Sequence, residues 1–186
     1  MPMALKNASA IAVSAEVIYL IGGQKMEEIT IVDEFDEEVE GSCPRWGLNP
    51  SIYQYLISCD TWHELSVELP VPTYLITPVK ISDCEILLLG GLVECDHVKS
   101  HSKLKQSSMY MQYEEEQNPV QASTQAFILD LRGPTIEEAK QLATEVVSVH
   151  EPFTFFDENN RQNIWIVNES EVDEEVTVIK YIHSND

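Results

Sequence analysis

The run "VIYLIGGQ" (17–24) has a close echo in "ILLLGGL" (86–92), and four of the chain's seven glycines sit in these two pairs. An aliphatic run alone suits a buried strand or a piece of buried helix. A glycine pair at its end narrows the choice, because glycine enters left-handed backbone freely and marks where a strand stops and turns. Two such ends, 68 residues apart, point to one supersecondary unit used more than once. The offset holds beyond the glycines: Met1-Pro2 falls on Leu69-Pro70, and "EVIYLIGGQ" (16–24) on "CEILLLGGL" (84–92). A third copy, "QNIWIVNES" (162–170), follows 78 residues later with Asn168 and Glu169 in place of the glycines. Asparagine tolerates left-handed backbone and glutamate does not, so that turn must differ.

A second pattern follows each run. "SIYQYLISCDTWHEL" (51–65) matches "QAFILDLRGPTIEEA" (125–139), with Tyr55 on Leu129 and Trp62 on Ile136. "VTVIKYIHSND" (176–186) puts Tyr181 on Tyr55. Preceding strands are expected at "ASAIAVS" (8–14), "YLITPVKI" (74–81) and "EPFTFFD" (151–157). Each unit therefore reads as four short strands, and the chain as all-β. One segment dissents: "TIEEAKQLATEVV" (135–147) has helix-forming composition, and either edge strand or a short helix is expected there. Four antiparallel strands repeated side by side are the blade of a β-propeller, with the Tyr and Trp packed between adjacent blades.

The combination of an aliphatic strand, a Gly-Gly pair, and a Tyr and a Trp seven residues apart resembles the kelch repeat. Gly22-Gly23, Tyr55 and Trp62 carry the likeness in the first unit and Gly90-Gly91 in the second, while the third keeps only Tyr181. The resemblance implies a kelch-type β-propeller fragment of two full four-stranded blades plus an incomplete third. Its expected divisions are 1–72, with a long acidic loop at 25–50; 73–149, with a long loop at 93–122; and a degenerate blade at 150–186. It also implies a non-catalytic protein–protein interaction module or scaffold. Kelch motif residues are structural, so no catalytic residue carries over. A metal-dependent propeller enzyme and a truncated kelch protein with no independent role are the alternatives. Three blades do not close a ring, so a second copy or another chain is expected to complete it.

Charge limits the partners. The chain has 32 Asp plus Glu against 11 Lys plus Arg, a net charge of −21. That field repels phosphate backbones and anionic lipid, and favours a protein partner with basic groups over nucleic acid or membrane. No apolar run approaches the ~18 residues of a membrane span, and no secretory signal opens the chain. Cys43, Cys59, Cys84 and Cys95 are irregularly spaced and read as reduced thiols of a cytoplasmic protein.

The two long insertions hold the candidate binding residues, since loops longer than ~12–15 residues usually carry function or are disordered. Trp46, beside Arg45, is either an interface anchor or a residue tucked onto its own blade. Met109, Tyr110 and Tyr113 in "MYMQY" form either a partner-binding patch or a strand on the blade. "ITIV" (29–32) reads as a short strand at a blade edge, and "DEFDEEVE" (33–40) as a solvated acidic loop lacking a Ca²⁺-loop pattern. Cys95, His97 and His101 are zinc-type ligands without an evident fourth, so no metal or other cofactor is expected.

Overall fold

The computed structural model describes residues 3–32, 38–94, 104–105, 112–113, 120–139, 153–157, 160–169 and 176–182, with side-chain surroundings for 3–28, 44–94 and 120–139. All of the regular structure described is β, apart from one 3₁₀ turn at Ile57–Cys59. The N-terminal part comprises β1 (Leu5–Lys6), β2 (Ser9–Ala12), β3 (Val17–Ile21), β4 (Gln24–Val32), β5 (Glu38–Leu48), β6 (Ser51–Leu56) and β7 (Thr61–Glu68). Of these, β2-β3-β6-β7 form an antiparallel four-stranded sheet, and β1-β4-β5 a separate three-stranded one. Next come β8 (Thr77–Lys80), β9 (Glu85–Leu89), β10 (Leu92–Glu94), β11 (Leu104–Lys105), β12 (Gln112–Tyr113), β13 (Val120–Ala122), β14 (Ala126–Asp130) and β15 (Thr135–Glu138). Here β8-β9-β14-β15 form the second four-stranded sheet, with β10-β13 and β11-β12 as two-stranded ribbons. Last are β16 (Phe153–Asp157), β17 (Asn160–Glu169) and β18 (Val176–Ile182), a three-stranded sheet. No described sheet closes on itself.

The three principal sheets share one register. Ile18 lies opposite Ala12 and Tyr55, Ile86 opposite Lys80 and Leu129, and Ile164 opposite Phe156 and Tyr181. Between the first two sheets the repeat extends to single hydrogen bonds. Gly22 N–H donates to Ser51 O and Gly90 N–H to Gln125 O, both at 3.2 Å. Asn49 N–H donates to Gly23 O (2.9 Å) and Ser123 N–H to Gly91 O (2.8 Å). All four glycines have positive φ, from +56° to +90°. Even the second residue before each first strand repeats, with Asn7 and Leu75 both at φ +56° and Leu75 N–H donating to Asn7 O. In the third sheet β17 runs on through Glu169, so the chain does not turn out where the glycines are missing.

Strand alternation gives each sheet two faces. On the first sheet Ile11, Val13, Val17, Tyr19, Ile21, Ile52, Leu65 and Val67 share what we call the back face. They pack against Ile86, Leu88, Phe127, Leu129 and Ile136 on the front face of the second sheet. Ile21, Ile52, Ile86 and Leu129 are wholly inaccessible. Burial of such a side chain contributes about 1.5–3 kcal/mol, so this seam is the chief described source of stability. Lys80 Nζ adds a 2.8 Å hydrogen bond to Val13 O across it. The back face of the second sheet, with Val79, Ile81, Leu87, Leu89, Ala126 and Ala139, is also buried.

Two expectations need correction. Trp62 does not lie in the seam. Its register partner Tyr55 is opposite Ile18, so both aromatics occupy the front face of the first sheet, stacked at 4.7 Å and half-exposed. The 25–50 insertion is no long loop: β4 and β5 form an antiparallel hairpin, and "ITIV" pairs within it rather than at a blade edge. Of the two alternatives for the helix-like segment, its start takes the edge strand: Thr135–Glu138 pairs with β14 and gains a ladder that local propensity ignores. Residues 140–147 lie outside the described residues.

Candidate protein-binding cleft

Both insertions leave their sheets at the glycine pairs, and so emerge at the same end of adjacent sheets. The positive φ and the crowding there explain the residue choice. A Cβ at Gly22 would collide with the carbonyl oxygen of Thr73, and one at Gly91 would sit 2.7 Å from that of Tyr74. Thr73 and Tyr74 belong to the linker between the sheets, whose backbone runs directly against the turns: Gly23 N–H donates to Thr73 O (3.1 Å). The fully buried Asn49 ties the same turn together, with Nδ2 donating to Gly22 O at 3.1 Å.

Between the insertions lies a cleft of about 900 Å³. Leu48 at the end of β5 lines one side, the Pro70-Val71-Pro72 linker another, and Val93, Glu94 and Gln121–Gln125 a third. Leu48, Val71 and Val93 supply apolar surface, while Gln121, Ser123, Thr124 and Gln125 supply hydrogen-bonding groups. Arg45 reaches from β5 to Glu94 on β10 (3.8 Å) and connects the two insertions beside the cleft. Tyr74 pairs with Leu92 in an isolated bridge. Burial, and then the charge of Glu94, push its phenol pKa up, so Tyr74 stays neutral at physiological pH. One edge of β13 pairs with β10, and among the described residues its other edge has no partner strand. Val120 on that strand is 50% exposed. A strand edge without a described partner beside a cleft of mixed polar and apolar lining suits an extended polypeptide, which adds main-chain hydrogen bonds while its alternate side chains enter the cleft.

Trp46 is half-buried on β5, opposite Met26 and two residues from Leu48, on the same hairpin face. Lys6 Nζ stands 4.6 Å from its ring centroid, so this indole is tucked against its own three-stranded sheet. Tyr113 is in β12, paired with Leu104, and its side chain lies outside the described residues, as do Met109 and Tyr110 altogether. Cys95, His97, His101 and residues 33–37 of the acidic run also lie outside them. Among the described residues no three His, Cys, Asp or Glu side chains gather as a metal site. No described helix is long and apolar enough to cross a membrane.

Residue-type reasoning missed the cleft itself. Its walls come from segments near 48, 70–72, 93–94 and 121–125, with no shared motif. The signal available was positional: two insertions at equivalent points of a repeat must emerge together. No protein-family model and no curated protein matches the chain.

Proposed function

We propose that the chain is a non-catalytic protein-binding module, a stack of kelch-like propeller blades that takes an extended, basic segment of a partner in the cleft between its two insertions. The observation that carries this reading is the cleft, bounded by both insertions and bordered by an edge of β13 that has no partner strand among the described residues. The shared register of the three principal sheets and the paired glycine turns support the blade reading, which rests on resemblance to the kelch repeat. The net charge of −21 favours a basic partner and disfavours nucleic acid and anionic membrane. The free thiols of Cys59 and Cys84 suit a reducing, cytoplasmic setting.

Selection from a displayed random-peptide library tests the reading. The chain should enrich extended peptides bearing Lys or Arg, with binding that weakens as salt rises. Gln121→Arg, at an exposed cleft position, should weaken that binding at least tenfold without changing the melting curve. No enrichment, or equal binding by the variant, would remove the cleft from consideration. Elemental analysis addresses the enzyme alternative: stoichiometric transition metal on purified protein would favour it.

A further inference from the structure

At three matched positions the first sheet leaves half-buried on its front face what the second sheet buries: Ile18, Leu20 and Tyr55 against Ile86, Leu88 and Leu129. Ile18, Leu20, Tyr53, Tyr55 and Trp62 correspond in register to Ile86, Leu88, Phe127, Leu129 and Ile136. On the second sheet all five belong to the seam with the first sheet, and Ile86 and Leu129 have no accessible surface. On the first sheet Tyr53 is buried, with its hydroxyl directed at Met3 Sδ (3.6 Å), and Ile18, Leu20, Tyr55 and Trp62 are half-buried. Ala10 and Ala12, opposite Leu20 and Ile18 on this face, are exposed. Tyr55 is held in place: its hydroxyl donates to Asp60 Oδ1 at 2.8 Å, and Asp60 sits in left-handed backbone at φ +50°.

We infer that this face docks a second copy of the chain, which seats on it the back face of its own last sheet. The seam already formed is head-to-tail, back face of one sheet on front face of the next, so the surface that fits an open front face is a back face of the same repeat. In the last sheet, Trp165 and Val167 stand at the register positions of Tyr19 and Ile21. A head-to-tail contact either closes into a ring or grows. The three described principal sheets, taken twice, make six, within the four to eight of closed propellers. The pairing rests on the blade reading above but uses a face other than the cleft. Both copies carry a charge of −21, so screening should strengthen the pairing, opposite to the effect of salt on a basic peptide in the cleft.

Sedimentation equilibrium of the full chain tests this over a wide concentration range, at low salt and at about 0.5 M, where screening is short-ranged. The expected result is a species of twice the 21.1 kDa chain mass, tighter at high salt. Ala12→Arg and Ala10→Arg place long charged side chains on exposed positions of the face and should weaken association at least tenfold, with unchanged circular dichroism and unchanged peptide binding. Gln121→Arg should lose peptide binding and keep the dimer. A monomer at all concentrations, or a dimer indifferent to both alanine substitutions, would overturn the inference.

Discussion

Gly22→Ala isolates the constraint from which the repeat was read. Gly22 has φ +62°, where an L-residue other than glycine costs about 1–2 kcal/mol. The added methyl also meets fixed atoms: the carbonyl oxygen of Thr73 in collision, and Leu69 Cδ1 at 3.0 Å. The carbonyl cannot rotate away cheaply, because it accepts the hydrogen bond from Gly23 N–H. Overpacking of this kind typically costs about 1–3 kcal/mol. The two effects together are worth about 3 kcal/mol, and at roughly 2–4 °C per kcal/mol for a chain of this size the melting temperature should fall by about 6–12 °C. Gly133→Ala is the matched control: nothing lies within 4 Å of its Cβ position, and its φ is not in the left-handed region. That substitution should be neutral, or stabilising by up to about 1 kcal/mol through the unfolded chain. Differential scanning calorimetry of the two variants beside wild type reads the difference directly. If Gly22→Ala melts with the control, the turn does not hold the linker in the way described.

Three further outcomes are expected. Leu129→Ala, at a wholly buried position in the seam, should cost about 2–5 kcal/mol in chemical denaturation. Trp62→Ala should cost much less in the monomer, about 0.5–1.5 kcal/mol for the lost stack on Tyr55 plus a partial area term, and Trp62 fluorescence should shift to the blue as the chain self-associates. Arg132, bound to Asp130 at 2.7 Å, holds that carboxyl below its ordinary value of 3.8. A lowered folded-state pKa contributes stability above the ordinary value and loses it as pH falls through the lower one. The melting difference between wild type and Asp130→Asn should therefore be small at neutral pH, because the pair is exposed, and should vanish in acid below the carboxylate range.

Local chemistry carried much of the fold into the sequence. Glycine pairs after aliphatic runs are legible because only glycine tolerates those φ values beside that backbone, and period-two alternation announces strands whatever they pack against. The correspondence of Tyr55 with Leu129 and of Trp62 with Ile136 was likewise readable before any coordinates. What alternation does not contain is which of a sheet's two faces meets a neighbour. The blade reading puts the repeat's Tyr and Trp between adjacent units, yet the register of Trp62 places it on the face turned away from the second sheet. Pairing over distance was hidden for a similar reason. Nothing local in "KMEEITIV" and "EVEGSCPRWGL" says that they join, and acidic composition argues for solvated loop until the ladder forms between them. The cleft is the furthest from the sequence, since the hairpin end, the proline linker and the β10–β13 ribbon acquire a common surface only when the two sheets stack. The sequence by itself determined the unit and its turns, because those depend on each residue's own backbone and its immediate neighbours. Which faces are covered and where the cleft lies show only in the tertiary structure, because both depend on burial between segments far apart along the chain.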